Sequence, residues 1–147
     1  MRTELIKALL FATVSFASAY TDNSNPKDIV LNGLTALLGN TNATKAVQGI
    51  ETYFSPDYVQ YTNTDILDHD SFVQHIKDLK VGLERSNLHI KTIIGPTEAS
   101  TNSSLEHQVG SHHHITLGYG NKTMSSDVIS LFGLRDGKIV ECHEVTQ

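Results

Sequence analysis

Residues 128–147 read VISLFGLRDGKIVECHEVTQ, and this stretch decides the fold. Two runs rich in β-branched and apolar residues flank Asp136-Gly137. A two-residue type I′ turn needs positive φ at both central positions, which Asp-Gly supplies. The stretch is therefore a β-hairpin. A regular ladder from that turn sets Leu134 opposite Ile139, Phe132 opposite Glu141, Ser130 opposite His143 and Val128 opposite Val145. Directly opposed residues share a face. The first face then carries Ser130, Phe132, Glu141 and His143, and the second carries Ile129, Leu131, Cys142 and Glu144. The two faces are similarly apolar, so periodicity does not choose which one is buried.

Upstream of the hairpin, strand-like runs cover Leu88–Ile94, Leu105–Leu117 and Met124–Arg135. A bulge is expected near Gly110, and residues 118–121 read as a turn. Before Leu88 the period is helical. Pro26 opens a helix with Ile29, Val30, Leu34, Leu37 and Leu38 on one face, closed by Gly39-Asn40. Thr41 or Asn42 caps a second helix that runs to about Phe54. Ser55-Pro56-Asp57 reads as a turn, and Tyr58–Thr62 as a short strand. Asp70 caps a third helix with Phe72, Val73, Ile76 and Leu79 on its apolar side. Helices first and a meander of strands afterwards give an α+β fold, with helices on one face of an antiparallel sheet.

The N-terminus has a separate purpose. Arg2 and Lys7, the apolar run Ala8–Phe16 and Ala17-Ser18-Ala19 form a secretory leader over residues 1–19. The apolar run falls short of the roughly 20 residues that span a bilayer. The mature chain, residues 20–147, is the size of one domain, and its expected location is secreted. Sequons at Asn42, Asn102 and Asn121 suit a glycosylated secreted chain. Cys142 is the only cysteine, so no disulfide forms within the chain. It reads as a small buried strand residue, with pairing between chains as the other possibility. The net charge of −5 and the lack of a basic cluster argue against nucleic acid or an anionic membrane surface as partner.

Three segments carry a family resemblance: YFSPDYVQY at 53–61, DHDSF at 68–72, and GKIVE at 137–141 with Val145 and Gln147. In this order they resemble the SnoaL-like branch of the nuclear-transport-factor-2-like (NTF2-like) superfamily. The resemblance implies a cone, in which a curved antiparallel sheet packs on three N-terminal helices around an apolar pocket. It also implies a small apolar or polyketide-like ligand. Members include cyclases, isomerases, dehydratases and hydrolases, and also binding modules that catalyse nothing, so the fold does not settle the function. The family's Asp on the penultimate strand corresponds to Ser130 here. Its HWD ending corresponds to Cys142-His143-Glu144, and the His after YVQ to Tyr61.

The family positions select the first hairpin face as the pocket wall, with Ser130, Phe132 and Tyr61 expected to contact ligand. His143, oriented by Glu141, is the candidate acid/base, since imidazole titrates near neutral pH. The competing reading gives His143 only a shape-filling role. In His112-His113-His114, alternation sets His113 toward the pocket and the other two outward. His112 and His114 resemble an H-x-H metal pair but lack a third ligand at a suitable spacing. A polar outer face or a contact in a homodimer accounts for them better, and no metal or cofactor is called for. Three functions follow: an acid/base enzyme without cofactor, a secreted carrier using the same pocket, or a scaffold for a homodimer.

Overall fold

The computed structural model describes residues 25–96 and 107–147. The leader, Leu105 and Asn102 lie outside the described residues. Helix α1 (Pro26–Leu38) starts at Asn25, whose side chain accepts from the Asp28 N–H at 3.0 Å, with Pro26 in the first turn. That position suits proline because its missing N–H has no helical partner there. Helix α2 (Ala43–Tyr53) is capped by Asn42, which accepts from the Lys45 N–H. Helix α3 (His69–Leu79) is capped by Asp68, which accepts from the Ser71 N–H at 2.9 Å. The expected cap, Asp70, instead sits in the first turn, where its negative charge suits the helix N-terminus.

The strands are β1 (Phe54–Thr62), β2 (Asp65–Asp68), β3 (Arg85–Ile94), β4 (His107–Tyr119), β5 (Lys122–Arg135) and β6 (Lys138–Thr146). They form one sheet in the order β2-β1-β6-β5-β4-β3. The expected all-antiparallel sheet is corrected to a mixed one, because β1 and β6 run parallel. The final hairpin folds β6 back against β1, so the first and last strands become neighbours. Residues 55–57, read as a turn, belong to β1, whose pairing with β6 is irregular between Phe54 and Val59. Strand β2 pairs with β1 across the Asn63-Thr64 turn, where Asn63 takes φ 52°. The β4–β5 ladder is unbroken from His107–Leu134 to Tyr119–Lys122. The bulge expected at Gly110 is not there; the irregularity lies on β3 between Ile90 and Thr92, opposite His112 and His113, while Gly110 pairs with Ile94.

The hairpin turn forms as expected, with Asp136 at φ 53° and Gly137 at 71°. Arg135 pairs with Lys138 and Leu134 with Ile139. The next pair is Gly133 with Glu141, so Val140 is an extra residue on β6. Such a bulge shifts every later residue to the opposite face. Phe132 now faces Cys142, Leu131 faces His143 and Ser130 faces Glu144.

The helices cover one face of the sheet. Ile29, Val30, Leu34, Ile50, Phe72 and Ile76 pack on Phe54, Tyr58, Val109, Phe132, Leu134 and Ile139. A second cluster joins Leu83, Ile115, Leu117 and Val128. Buried Lys80 ties the end of α3 to the α1–α2 turn by donating to the Asn40 carbonyl at 2.5 Å. Helices α1 and α2 touch at Gly49, where an added Cβ would stand 2.4 Å from the Ala36 Cβ. Gly49→Ala is therefore expected to destabilise the fold by about 1–3 kcal/mol through overpacking. Urea unfolding monitored by circular dichroism checks this, and an unchanged midpoint would contradict the close packing.

Candidate functional site

A cavity of about 190 Å³ lies between the helices and the inner face of the sheet. It lies between the two apolar clusters, which Leu38 and Leu79 bridge. Leu34, Leu37, Phe54, Phe72 and Phe132 line it from one cluster, and Ile115, Leu117 and Val128 from the other. His75 is exposed and Ser126 and Thr146 are partly so, which marks the mouth.

The polar wall comes from β1 and β6. Alternation on β1 turns Tyr58, Gln60 and Thr62 to one side. Beyond the bulge, alternation on β6 turns Cys142, Glu144 and Thr146 to the same side. Tyr58 Oη donates to Gln60 Oε1 at 2.7 Å, Gln60 Nε2 donates to Thr62 Oγ1 at 2.9 Å, and Thr62 Oγ1 donates to Glu144 Oε1 at 2.9 Å. Burial raises the Glu144 carboxyl above its ordinary range, while the Thr62 hydroxyl, the charge of His75 and Gln60 pull it back. Burial also pushes up the Cys142 thiol and the Tyr58 hydroxyl. Cys142 is thus a buried, neutral strand residue.

His113 lines the opposite part of the cavity and is 1% exposed. Its Nδ1 lies 3.1 Å from the Ser111 hydroxyl. Burial, helped by neighbouring His112, lowers it from 6.5 to about 4, so the ring is neutral near pH 7. Phe132 lines the same cavity. Ser130 faces inward and is 3% exposed; its hydroxyl lies beside the Cys142 thiol but makes no hydrogen bond.

The remaining expected site residues are on the outer face. Glu141 and His143 form the expected pair, 3.7 Å apart, but both side chains are about half exposed. Tyr61 stacks on His143 with ring centres 4.4 Å apart and planes 2° from parallel. The Val140 bulge is the reason: it reverses the faces of Glu141 and His143, and Tyr61 pairs in register with His143. The face expected for His143, Glu141 and Tyr61 is corrected accordingly. Sequence reasoning missed Tyr58, Gln60, Thr62 and Glu144. Two signals pointed to them. Tyr58 and Gln60 lie within the resembling 53–61 segment, and Glu144 stands at the acidic position of the family ending.

Outside the cavity, His112 Nε2 and His114 Nδ1 each lie 3.3 Å from an Asp127 carboxylate oxygen, and Lys91 binds the same group. The hydrogen bond from Lys91 is the main reason that Asp127 is held down to about 2. Among the described residues, no group of three or more His, Cys, Asp or Glu is placed to hold a metal. Of the three sequons, Asn42 caps α2 and is exposed, and Asn121 is exposed in the β4–β5 turn.

No family model and no curated protein matches the sequence. Solved structures do match. An M. tuberculosis LEH-like epoxide hydrolase aligns at TM-score 0.61 and 14% identity, over 82% of this chain and 81% of the other. A candidate SnoaL-like polyketide cyclase from Jannaschia sp. CCS1 aligns at 0.61 and 12%, over 86% and 90%. An NTF2-like protein of unknown function from Exiguobacterium sp. 255-15 aligns at 0.63 and 13%, over 81% and 98%. The fold is NTF2-like. In this NTF2-like cone the cavity lies between the helices and the curved sheet, and its polar wall is the β1–β6 pair.

The buried imidazole makes stability depend on pH. The folded state resists protonating His113 and the unfolded chain does not. Stability is therefore full above the ordinary His value of 6.5 and falls as the pH drops toward 4. The loss attributable to His113 at pH 4 is about 2–3 kcal/mol. Urea unfolding of the native chain and of His113→Phe between pH 7 and pH 4 tests this. The variant should lose that part of the pH dependence; equal slopes would contradict it.

Proposed function

We propose that this chain is a small-molecule pocket protein that performs acid/base chemistry on its ligand through Glu144. One observation carries the reading: among the described residues Glu144 is the only carboxyl lining the cavity, and burial raises its proton affinity. The chain of donors from Tyr58 through Gln60 to Thr62 occupies Oε1. The carboxyl at the end of that chain is then the group offered to a ligand. Protonated, it donates to a ligand oxygen; ionised, it abstracts a proton next to a carbonyl. His113, neutral near pH 7, would orient the ligand or polarise a carbonyl from the other wall. This acid/base arrangement suits an isomerase, cyclase or dehydratase that needs no cofactor. Mass spectrometry of purified protein should reveal a co-purified ligand. Incubating that ligand in D₂O should exchange a C–H hydrogen, with Glu144→Gln about 100-fold slower or worse. Equal exchange by wild type and variant would remove Glu144 from the chemistry.

A carrier without turnover is the second reading. It is favoured by Ser130, which stands where the family has its acid and has no hydrogen-bond partner. A ligand retained on purification, with no exchange above buffer, would select it.

The outer face supports a homodimer. Ile129, Leu131 and Val145 are 57%, 43% and 53% exposed. They adjoin one another, since Ile129 pairs with Val145 and Leu131 with His143 beside the Tyr61 stack. Ile129→Asp with Leu131→Asp should turn a dimer into a monomer in sedimentation, with the fold retained. A wild-type monomer at micromolar concentration would reject this proposal. The leader and the exposed sequons support a secreted, glycosylated product. The mature N-terminus of protein exported from a eukaryotic cell is expected at Tyr20.

A further inference from the structure

We infer that the cavity takes an uncharged molecule of single-ring size with one hydrogen-bonding oxygen, which meets Glu144. This rests on the reading of the cavity as a small-molecule site and adds the chemical class of its ligand. Three observations carry it: size, charge and the direction of the hydrogen bonds.

The cavity volume is about 190 Å³. An apolar cavity of roughly 150 Å³ holds one benzene, and drug-sized ligands occupy roughly 300–1,000 Å³. One substituted ring fills this space, and a fused multi-ring skeleton does not fit within it. That departs from the polyketide-like ligand implied by the family resemblance.

Among the described residues, the cavity wall contains no Lys or Arg. Its basic residues are His113, which is neutral, and His75, which is exposed at the mouth. Among the described residues the one buried lysine, Lys80, is engaged with the Asn40 carbonyl outside the cavity. A carboxylate or phosphate would therefore lose its hydration and meet Glu144 instead of a cation. The net charge of −5 repels anions further.

The hydrogen bonds run one way along the polar wall. Each donor hydrogen on Tyr58 Oη and Thr62 Oγ1 points along the chain toward Glu144. These hydroxyls have spent their donors and Gln60 bonds both Thr62 and Glu144, which leaves the carboxyl as the group of this wall that meets a ligand oxygen. Apart from His113 and the polar groups at the mouth, the rest of the wall is mainly aliphatic and aromatic, so the ligand needs one polar end and an apolar body.

The test titrates the mature chain, labelled with ¹⁵N, with three probes: cyclohexanone, cyclohexanecarboxylate and progesterone. Cyclohexanone should move the amide signals of Phe132, Cys142 and Glu144 in a saturable way. Its carbonyl ¹³C signal should shift downfield on binding, as a hydrogen-bonded carbonyl does. Cyclohexanecarboxylate at pH 7 should bind at least about tenfold more weakly, and progesterone should leave those amides in place. Carboxylate binding as tight as ketone binding, progesterone binding at the same amides, or an unmoved carbonyl signal would each overturn the ligand class and leave the pocket reading standing. If no probe moves these amides, both the class and the pocket reading fail.

Discussion

One extra residue in β6, Val140, sets the chemistry of the cavity. A strand has two faces and a period of two, so a single inserted residue exchanges everything that follows. Without it, Glu141 and His143 would point at the helices while Cys142 and Glu144 faced outward. With it, the carboxyl of Glu144 joins Tyr58, Gln60 and Thr62 on the inner face. Gly133 makes room at the same place. A Cβ there would stand 2.7 Å from Glu141 Cγ, so the residue opposite the bulge is one with no side chain.

The sheet separates two electrostatic environments. On the inner side, burial penalises charge. It raises Glu144 and lowers His113, so an acid and a base are both driven toward their neutral forms around one cavity. On the outer side, Asp127 sits in partial contact with solvent among Lys91, His112 and His114, and its charged form is favoured. His113 and its neighbours His112 and His114 are adjacent in the chain, yet alternation places them in opposite environments. This is how one run of three histidines contributes to a cavity wall and to an outer polar patch.

The parts of the site that were legible lie on ladders without interruption. β4 and β5 pair continuously over thirteen positions, so parity alone sets His113 and Phe132 inward, where they line the cavity. The hairpin turn was also legible, because Asp-Gly satisfies a local backbone requirement. His143 and Glu141 were misplaced because the bulge lies between the turn and them. Nothing in the string Lys138-Ile139-Val140-Glu141 marks Val140 as the extra residue. Both faces of the hairpin are similarly apolar, so neither register carries an evident burial penalty in the sequence.

The sequence by itself determined the local features: helices with their caps and apolar stripes, the Asp-Gly hairpin, and the α+β order that an NTF2-like cone requires. These follow from interactions within a few residues of the chain. Only the tertiary structure decided the parallel pairing of β1 with β6, the face on which each residue of β6 stands, and the cavity between the two apolar clusters. Those depend on contacts between segments some 80 residues apart, such as Thr62 with Glu144. A one-residue shift there changes the site while leaving every local preference satisfied. The hairpin thus specifies the fold through its turn and the site through its bulge, and only the turn is written in local sequence.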